Sequence, residues 1–221
     1  MFVIIADQVA SRTTEDLAGQ ALAAIHERHA DQLALPADRT AGDEIQVITA
    51  DAATAIALAL ELTRDGAWSV GLGQGAIRTP LPAETRVATG PAFYAARDAV
   101  ERAKKAPTRF AFTASSETPA EPVEPGNHQD HRATAQSGED IEAFLVLILM
   151  LRQRRTAGGW QVADLLAEGT TQTEIAEQLG LSESSVSRRV SAAGVRAEQS
   201  ASEAAVRLLE QLDERTGAGP R

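Results

Sequence analysis

The stretch from Thr171 to Val190, TQTEIAEQLGLSESSVSRRV, decides the fold of the C-terminal half of this chain. Ala176 is a small residue at the place where one helix would be crossed closely by the next. Gly180, four residues later, can adopt the left-handed conformation that ends a helix. Ser182 is then placed to cap a second helix. A small residue, a glycine and a capping serine at this spacing predict a helix-turn-helix.

The second helix of this motif is expected to enter the major groove of double-stranded DNA. It carries short hydroxyl and guanidinium side chains, which suit base edges and phosphates. The residues expected to contact DNA are Thr171, Gln172, Ser182, Ser184, Ser185, Ser187, Arg188 and Arg189. An alternative is that the motif forms a contact surface for another protein, such as a sigma factor or a polymerase.

The overall charge limits how this chain could bind nucleic acid. Its 221 residues include 21 Lys and Arg against 31 Asp and Glu, a net charge of −10. Phosphate contacts dominate affinity for DNA, so any contact must come from local clusters. Two such clusters are the pair Arg188 and Arg189 and the group Arg152, Arg154 and Arg155. We expect modest, salt-sensitive affinity per monomer and therefore a homodimer.

Three further features of the composition exclude whole classes of protein. The chain has no cysteine, which excludes disulfides and thiolate metal sites. Its longest apolar run, from Phe144 to Leu151, is too short to span a bilayer. The opening MFVIIADQ lacks a basic region and reaches Asp7 too early for a signal peptide. These features predict a cytoplasmic protein that does not contact membranes.

A change in composition divides the chain. Residues 114–137 have many Pro, Glu, Ser and Thr and almost no large apolar side chains, so we predict a flexible linker there. The linker separates an N-terminal domain, residues 1–113, from a helix-turn-helix domain, residues 138–198. Residues 199–221 are predicted to form an amphipathic helix, over 202–214, followed by a tail.

The N-terminal domain alternates between strand and helix patterns, and the C-terminal domain is helical throughout. The pattern predicts an α+β protein with a ferredoxin-like βαββαβ sheet that carries its helices on one face, followed by an all-α domain. Strands are expected over 2–6, in two segments of 39–49 joined at Gly42-Asp43, over 68–77 and over 109–112. Helices are expected over 15–35, 51–64, 91–105, 141–155 and 160–168, with a break at Gly158-Gly159 before the last of these.

Acidic side chains stand at the ends of strands that this topology would make central neighbours. Asp7 ends the first strand, and Asp43 lies in the hairpin beside a glycine, so the two carboxylates would face the same place. They could hold Mg²⁺ bridged to a triphosphate, with Glu44 as a third ligand. Ser11 and Arg12 follow the first strand, where phosphates could meet backbone amides. The alternative is that Asp43 is a turn residue, Asp7 ends a strand and neither binds a ligand.

Several segments resemble known families. RTAGDEIQV, residues 39–47, resembles the signature hairpin of diguanylate cyclases, whose motif is GGDEF, with Ala41 in place of the first glycine and Ile45 in place of the phenylalanine. IIADQVASR resembles the first strand and metal aspartate of class III nucleotidyl cyclases. VGLGQGAI followed by TGPAFYAARDAVERAKK is similar to the end of both catalytic domains. Over residues 1–113 and 160–195 the chain resembles the SatD family, bacterial proteins that join such a domain to a helix-turn-helix.

The resemblance implies a cyclase-like palm fold with Asp7 and Asp43 at the positions of the two metal aspartates. It also implies a purine nucleotide as ligand, with Ser11, Arg12, Arg39, Gly42 and Arg97 as the residues expected to line its site.

Two departures from the family pattern bear on activity. Class III cyclases carry an asparagine and an arginine four residues apart on their last helix. Here Tyr94 takes the place of the asparagine, and Arg97 falls one residue early. A fixed cation accelerates phosphoryl transfer, so its loss reduces the rate more than binding. This pattern favours a sensor without efficient turnover over an active enzyme.

The sequence thus predicts a ligand-responsive transcription regulator. Two other functions stay open for the N-terminal domain: an active nucleotidyl cyclase tethered to DNA or to a partner, and a dimerisation scaffold that binds no ligand.

Overall fold

The computed structural model describes residues 1–11, 13, 15–40, 42–115 and 128–216. They form two compact units, which are described separately. The first comprises Met1–Val146 and Ala205–Arg221, and the second comprises Leu147–Ala204.

A five-stranded mixed sheet is the centre of the first unit. Its strands are β1 (Phe2–Gln8), β2 (Leu33–Arg39), β3 (Glu44–Thr49), β4 (Trp68–Gln74) and β5 (Phe110–Ala114). Their order is β2-β3-β1-β4-β5, and all neighbours are antiparallel except β4 and β5. The first four strands have the order and directions of a ferredoxin-like sheet, and β5 extends it. The predicted α+β class is therefore confirmed.

The described residues contain eight α-helices. They are α1 (Ala18–His29), α2 (Ala52–Leu62), α3 (Pro91–Ala103), α4 (His128–Gln153), α5 (Ala157–Ala167), α6 (Gln172–Leu179), α7 (Glu183–Ala192) and α8 (Val195–Thr216). Helices α1 to α3 belong to the first unit and α5 to α7 to the second. Helices α4 and α8 contribute residues to both units.

Helices cover both faces of the sheet, so the prediction of helices on one face is wrong. Val3 and Ile5 of β1 share a buried cluster with Ala96 and Val100 of α3. Successive strand residues point to opposite faces, so Ile4 belongs to the other face, and it is fully buried as well. Helix α2 contacts β1, β3 and β4 there. Because β1 is apolar on both faces, each face needs its own cover.

Helix α3 lies directly on the backbone of β4. A Cβ atom built on Gly71 would lie 2.2 Å from the Val100 nitrogen, and one on Gly73 would lie 2.3 Å from the Ala96 nitrogen. Bare backbone at these two positions therefore lets the helix approach the sheet closely.

The predicted helix over 15–35 is too long. Its last residues belong to β2, at one edge of the sheet. The helical spacing rests on Leu17, Ala21, Ala24 and Ile25 and does not extend to Leu33 and Leu35, whose separation of two residues is that of a strand. Pro36 follows them and has no N–H to donate within a helix, whereas an edge strand tolerates it.

Helix α4 begins at His128, inside the segment that we predicted as a flexible linker to residue 137. Within that segment Ser137 accepts a hydrogen bond from the Arg215 side chain of α8 at 3.1 Å, and the helix then continues onto the edge strand β5. A Cβ on Gly138 would lie 3.2 Å from the Ala114 Cβ, and Glu142 accepts a hydrogen bond from the Phe112 N–H at 2.6 Å. The rest of that predicted linker, residues 116–127, lies outside the described residues.

The C-terminal helix also departs from the predicted division of the chain. Helix α8 starts at Val195, seven residues before the start that we predicted. Its C-terminal part belongs to the first unit, where buried Asp213 accepts a hydrogen bond from the Gln74 side chain at 2.8 Å.

The second unit contains three short helices around a small apolar core. Its buried residues are Val162, Ile175, Ala176, Val186 and Val190. The expected break between two helices is present, but it lies at residues 154–156 and not at Gly158-Gly159, because both glycines lie in the first turn of α5.

Candidate functional site

The turn between α6 and α7 has the geometry that the sequence predicted. Gly180 ends α6 in the left-handed conformation, with φ of +62°, and the Leu181 N–H donates to the Ala176 carbonyl oxygen at 2.9 Å. Ser182 caps α7 by accepting from the Ser185 N–H at 3.2 Å. These contacts fix the direction in which α7 leaves the turn.

The start of α6 is held by a reciprocal pair of hydrogen bonds. The Thr171 hydroxyl accepts from the Glu174 N–H at 3.3 Å, and the Glu174 carboxylate accepts from the Thr171 N–H at 2.8 Å. The backbone and hydroxyl donors of Thr171 lower the pKa of Glu174. This capping box fixes the residue at which α6 begins.

One face of α7 is available to a partner. Val186 and Val190 are buried in the core, whereas four polar residues on the opposite face are exposed. We call these four the recognition stripe: Ser184, Ser187, Arg188 and Ser191. Their spacing of three and four residues places them along one line of the helix. Ser191 was missed by the sequence analysis, although its helical spacing from Ser184 and Ser187 could have identified it.

The other residues predicted to contact DNA lie in different surroundings. Thr171 and Ser182 are exposed at the starts of their helices, whereas Gln172 and Ser185 are half-buried. Arg189 is half-buried beside α5, where a Cβ on Gly158 would lie 3.3 Å from the Arg189 guanidinium.

Two of the three arginines at the end of α4 are engaged inside the second unit. Arg152 and Arg155 both pair with Glu198, and each guanidinium lies over the Trp160 ring, at 4.8 and 4.9 Å from its centre. Arg155, only 2% exposed, also donates to the carbonyl oxygen of Ala193, directly after α7, at 2.8 Å. The prediction that these arginines form a DNA-contacting cluster is therefore wrong for Arg152 and Arg155.

The predicted metal ligands lie at the end of the central strands of the first unit. Asp7 of β1 faces Glu44 of β3 across the sheet, and the carbonyl oxygen of Asp43, one residue earlier, accepts from the Gln8 N–H at 3.2 Å. The carboxylate opposite Asp7 is therefore that of Glu44. Within the part of the chain that the structure describes, His, Asp and Glu side chains form no group of three that could hold a metal.

Basic side chains neutralise both of these carboxylates. The Asp7 carboxylate lies 3.1 Å from the Lys104 ammonium group, and Glu44 forms a two-point ion pair with Arg97, of which one contact measures 2.9 Å. Burial opposes ionisation of Glu44, but hydrogen bonds from Arg97 and Thr40 and the charge of Arg97 outweigh it. The pKa of Glu44 is therefore lowered.

The residues predicted to bind a nucleotide are only partly described. Arg39 donates to the Gly42 carbonyl oxygen at 2.6 Å and pairs with Asp16 at 2.7 Å. Gly42 is exposed with φ of +88°, and a Cβ there would meet nothing within 4 Å. Ser11 is half-buried in the turn after β1. Arg12 lies outside the described residues.

Comparison with known proteins supports the helix-turn-helix alone. A family model described as a homeodomain-like domain matches residues 160–195, which run from α5 to the first residue of α8. No curated protein and no solved structure gives a match to this chain. In the described residues, no helix combines the length and the apolar character needed to cross a membrane. The homeodomain-like match and the geometry of α6 and α7 indicate a DNA-binding module.

Proposed function

We propose that this chain is a transcription regulator that reads double-stranded DNA with α7. The observation that carries the proposal is the recognition stripe: one face of α7 is exposed and polar while its opposite face is buried. The homeodomain-like match to residues 160–195 supports it, because modules of this type place their last helix in the major groove.

The chemistry of the stripe suits base edges. Arg188 can donate two hydrogen bonds to guanine, and the serine hydroxyls of Ser184 and Ser187 can donate or accept. None of the four stripe residues is acidic. The acidic residue of α7, Glu183, lies in its first turn outside the stripe and accepts a hydrogen bond from the Thr173 hydroxyl at 3.4 Å.

A binding selection from random duplexes tests this proposal. We expect enrichment of a defined sequence, bound at least about tenfold more tightly than random duplex at ~0.1 M salt. Arg188→Ala should weaken binding to that sequence about 5- to 100-fold and relax the preference at one base pair. The control is Arg207→Ala, which removes an exposed arginine from the part of α8 that belongs to the first unit. This variant should bind the selected sequence with the affinity of the wild type. Failure to enrich any sequence would favour a protein-contact role for the motif.

We further propose that the first unit senses a purine nucleotide together with Mg²⁺. The support is the placement of Asp7 and Glu44 on one face at the end of the central strands, close to the open backbone at Gly42. Arg97 and Lys104 neutralise these carboxylates in the absence of a ligand. On binding, the triphosphate would pair with Arg97 and Lys104, and Mg²⁺ would be held by Asp7 and Glu44. Each of the four side chains would then exchange its present partner for the ligand or the metal.

Calorimetry tests the sensor. We expect GTP or ATP to release heat of binding only when Mg²⁺ is present. Asp7→Asn should abolish this heat. The control is Asp98→Asn, which changes an exposed carboxylate of α3 and should retain it. If no nucleotide gives heat of binding, the first unit is a dimerisation scaffold and not a sensor. A cyclic product formed from a nucleoside triphosphate would identify an active cyclase instead.

A further inference from the structure

A cleft in the second unit lies beside the recognition stripe. It has a volume of about 390 Å³, and its lining includes Gln172 at the start of α6, Ser187 and Ser191 of α7, and Arg196 in the first turn of α8. Ser187 and Ser191 belong to both the stripe and the cleft. A molecule that contacts the stripe therefore passes the mouth of the cleft.

The position of α8 at this cleft is set by one glycine. Gly194 follows α7 with φ of +64°, a conformation that glycine adopts without strain. A Cβ at this position would lie 2.9 Å from a methyl group of Leu151. Both constraints hold the turn, so that Val195 and Arg196 start α8 at the edge of the cleft.

The charge of the cleft differs from that of the molecule around it. The chain carries a net charge of −10, yet none of the residues that line the cleft is acidic. Arg196 is exposed and forms no ion pair within the described residues, whereas Arg152 and Arg155 of the same unit are both paired with Glu198. The remaining polar groups of the lining are the amide of Gln172 and two serine hydroxyls, which can donate hydrogen bonds.

We infer that this cleft receives the sugar–phosphate backbone of the DNA that α7 reads, and that Arg196 binds a phosphate there. The inference rests on the proposed DNA-binding function. It extends the interface to a fourth helix, because Arg196 lies one residue beyond the homeodomain-like match. Arg188 then selects sequence from the stripe, and Arg196 contributes affinity that is independent of sequence.

The test compares matched arginine variants of the full chain. Affinities of the wild type, Arg196→Gln and Arg188→Gln are measured at several salt concentrations, on the selected duplex and on random duplex. The slope of log K against log salt is negative, and Arg196→Gln should make it shallower by about 0.9 on both duplexes. It should leave base preference unchanged, whereas Arg188→Gln should relax it. Arg207→Gln removes the same charge further along α8 and should leave the slope unchanged.

The outcomes separate this inference from the proposed function. A wild type that binds no duplex overturns both. Normal sequence selection, together with an unchanged slope in Arg196→Gln, overturns the cleft alone. An equal loss in Arg207→Gln also overturns it, because the effect would then be one of net charge. Tighter binding to duplex RNA than to DNA overturns it as well, since the deep, narrow major groove of RNA does not admit α7.

Discussion

At the scale of single residues, Gly73 sets how closely α3 can approach the sheet. A Cβ at this position would lie 2.3 Å from the Ala96 nitrogen and 2.4 Å from the Ala92 carbonyl oxygen, both of them backbone atoms. We expect Gly73→Ala to reduce the free energy of unfolding by more than about 3 kcal/mol, because the helix must move away from the strand. Urea denaturation followed by circular dichroism measures this change.

Gly19→Ala is the matched control for this substitution. Gly19 lies in α1, and a Cβ there would meet nothing within 4 Å. The control should raise the free energy of unfolding by up to about 1 kcal/mol, because alanine favours a helix. Similar effects of the two substitutions would contradict the close approach of α3 to β4.

The ion pair of Glu44 with Arg97 makes stability depend on pH. The Glu44 side chain is 9% exposed and its pKa is lowered in the folded state. Its contribution is therefore fully present above the pKa of the unfolded chain, about 4.3, and is lost as pH falls through the lower folded value. We expect Glu44→Gln to destabilise the protein by about 1–3 kcal/mol at pH 7 and by less at pH 3.

Urea denaturation at several pH values measures this dependence, with Glu84→Gln as the control. Glu84 pairs with Arg86 on the surface, and both side chains are 51% exposed. The control should change the free energy of unfolding by less than about 1 kcal/mol. A pH-independent effect of Glu44→Gln would show that the charge of Glu44 does not stabilise the fold.

At the scale of elements, Glu198 holds the end of α7 in place. It neutralises Arg152 and Arg155, and Arg155 in turn donates to the Ala193 carbonyl oxygen directly after α7. Glu198→Ala would leave two arginines without their carboxylate, at side-chain exposures of 13% and 2%. We expect a loss of about 3–5 kcal/mol in the free energy of unfolding. Thermal denaturation of Glu198→Ala checks this loss of stability. The control is Glu203→Ala, which removes an exposed glutamate of α8. Equal losses of stability in the two variants would contradict the role of Glu198.

Helix α4 protects the edge strand β5 through Glu142. Its carboxylate accepts from the Phe112 N–H at 2.6 Å and pairs with Arg102, which donates to the Phe112 carbonyl oxygen at 2.6 Å. Glu142→Ala should therefore accelerate hydrogen exchange at the Phe112 amide by at least about tenfold. Glu139→Ala, an exposed change one turn earlier, should not alter exchange there. An unchanged rate in Glu142→Ala would mean that another group protects this strand edge.

The sequence predicted elements best where local chemistry decides them. Asp51 and Gly180 mark a helix start and a helix end in the sequence, and the structure has them there, with Asp51 accepting from the Thr54 N–H at 2.8 Å. The errors arise where distant contacts decide. In the early part of α4, Ser137 contacts Arg215, 78 positions away, and the pairing of Arg155 with Glu198 joins residues 43 positions apart. Local patterns carry no information on such contacts.

At the scale of the whole molecule, the acidic charge limits the number of phosphates that the protein can neutralise. Of the six arginines in the second unit, Arg154, Arg188 and Arg196 are exposed, and none of these three forms an ion pair in the described part of the chain. Each neutralised phosphate contributes about −0.9 to the slope of log K against log salt. The slope should therefore be no steeper than about −3 for one protomer.

A homodimer on a palindromic duplex doubles this limit. We expect two chains per duplex by light scattering and a slope between about −3 and −6, because two copies of α7 would then occupy successive major grooves. A duplex that carries a single half-site is the control and should bind with half the slope. One chain per duplex would contradict the dimer. A slope near −10 would contradict the charge argument itself, since the exposed arginines of two second units could not account for it.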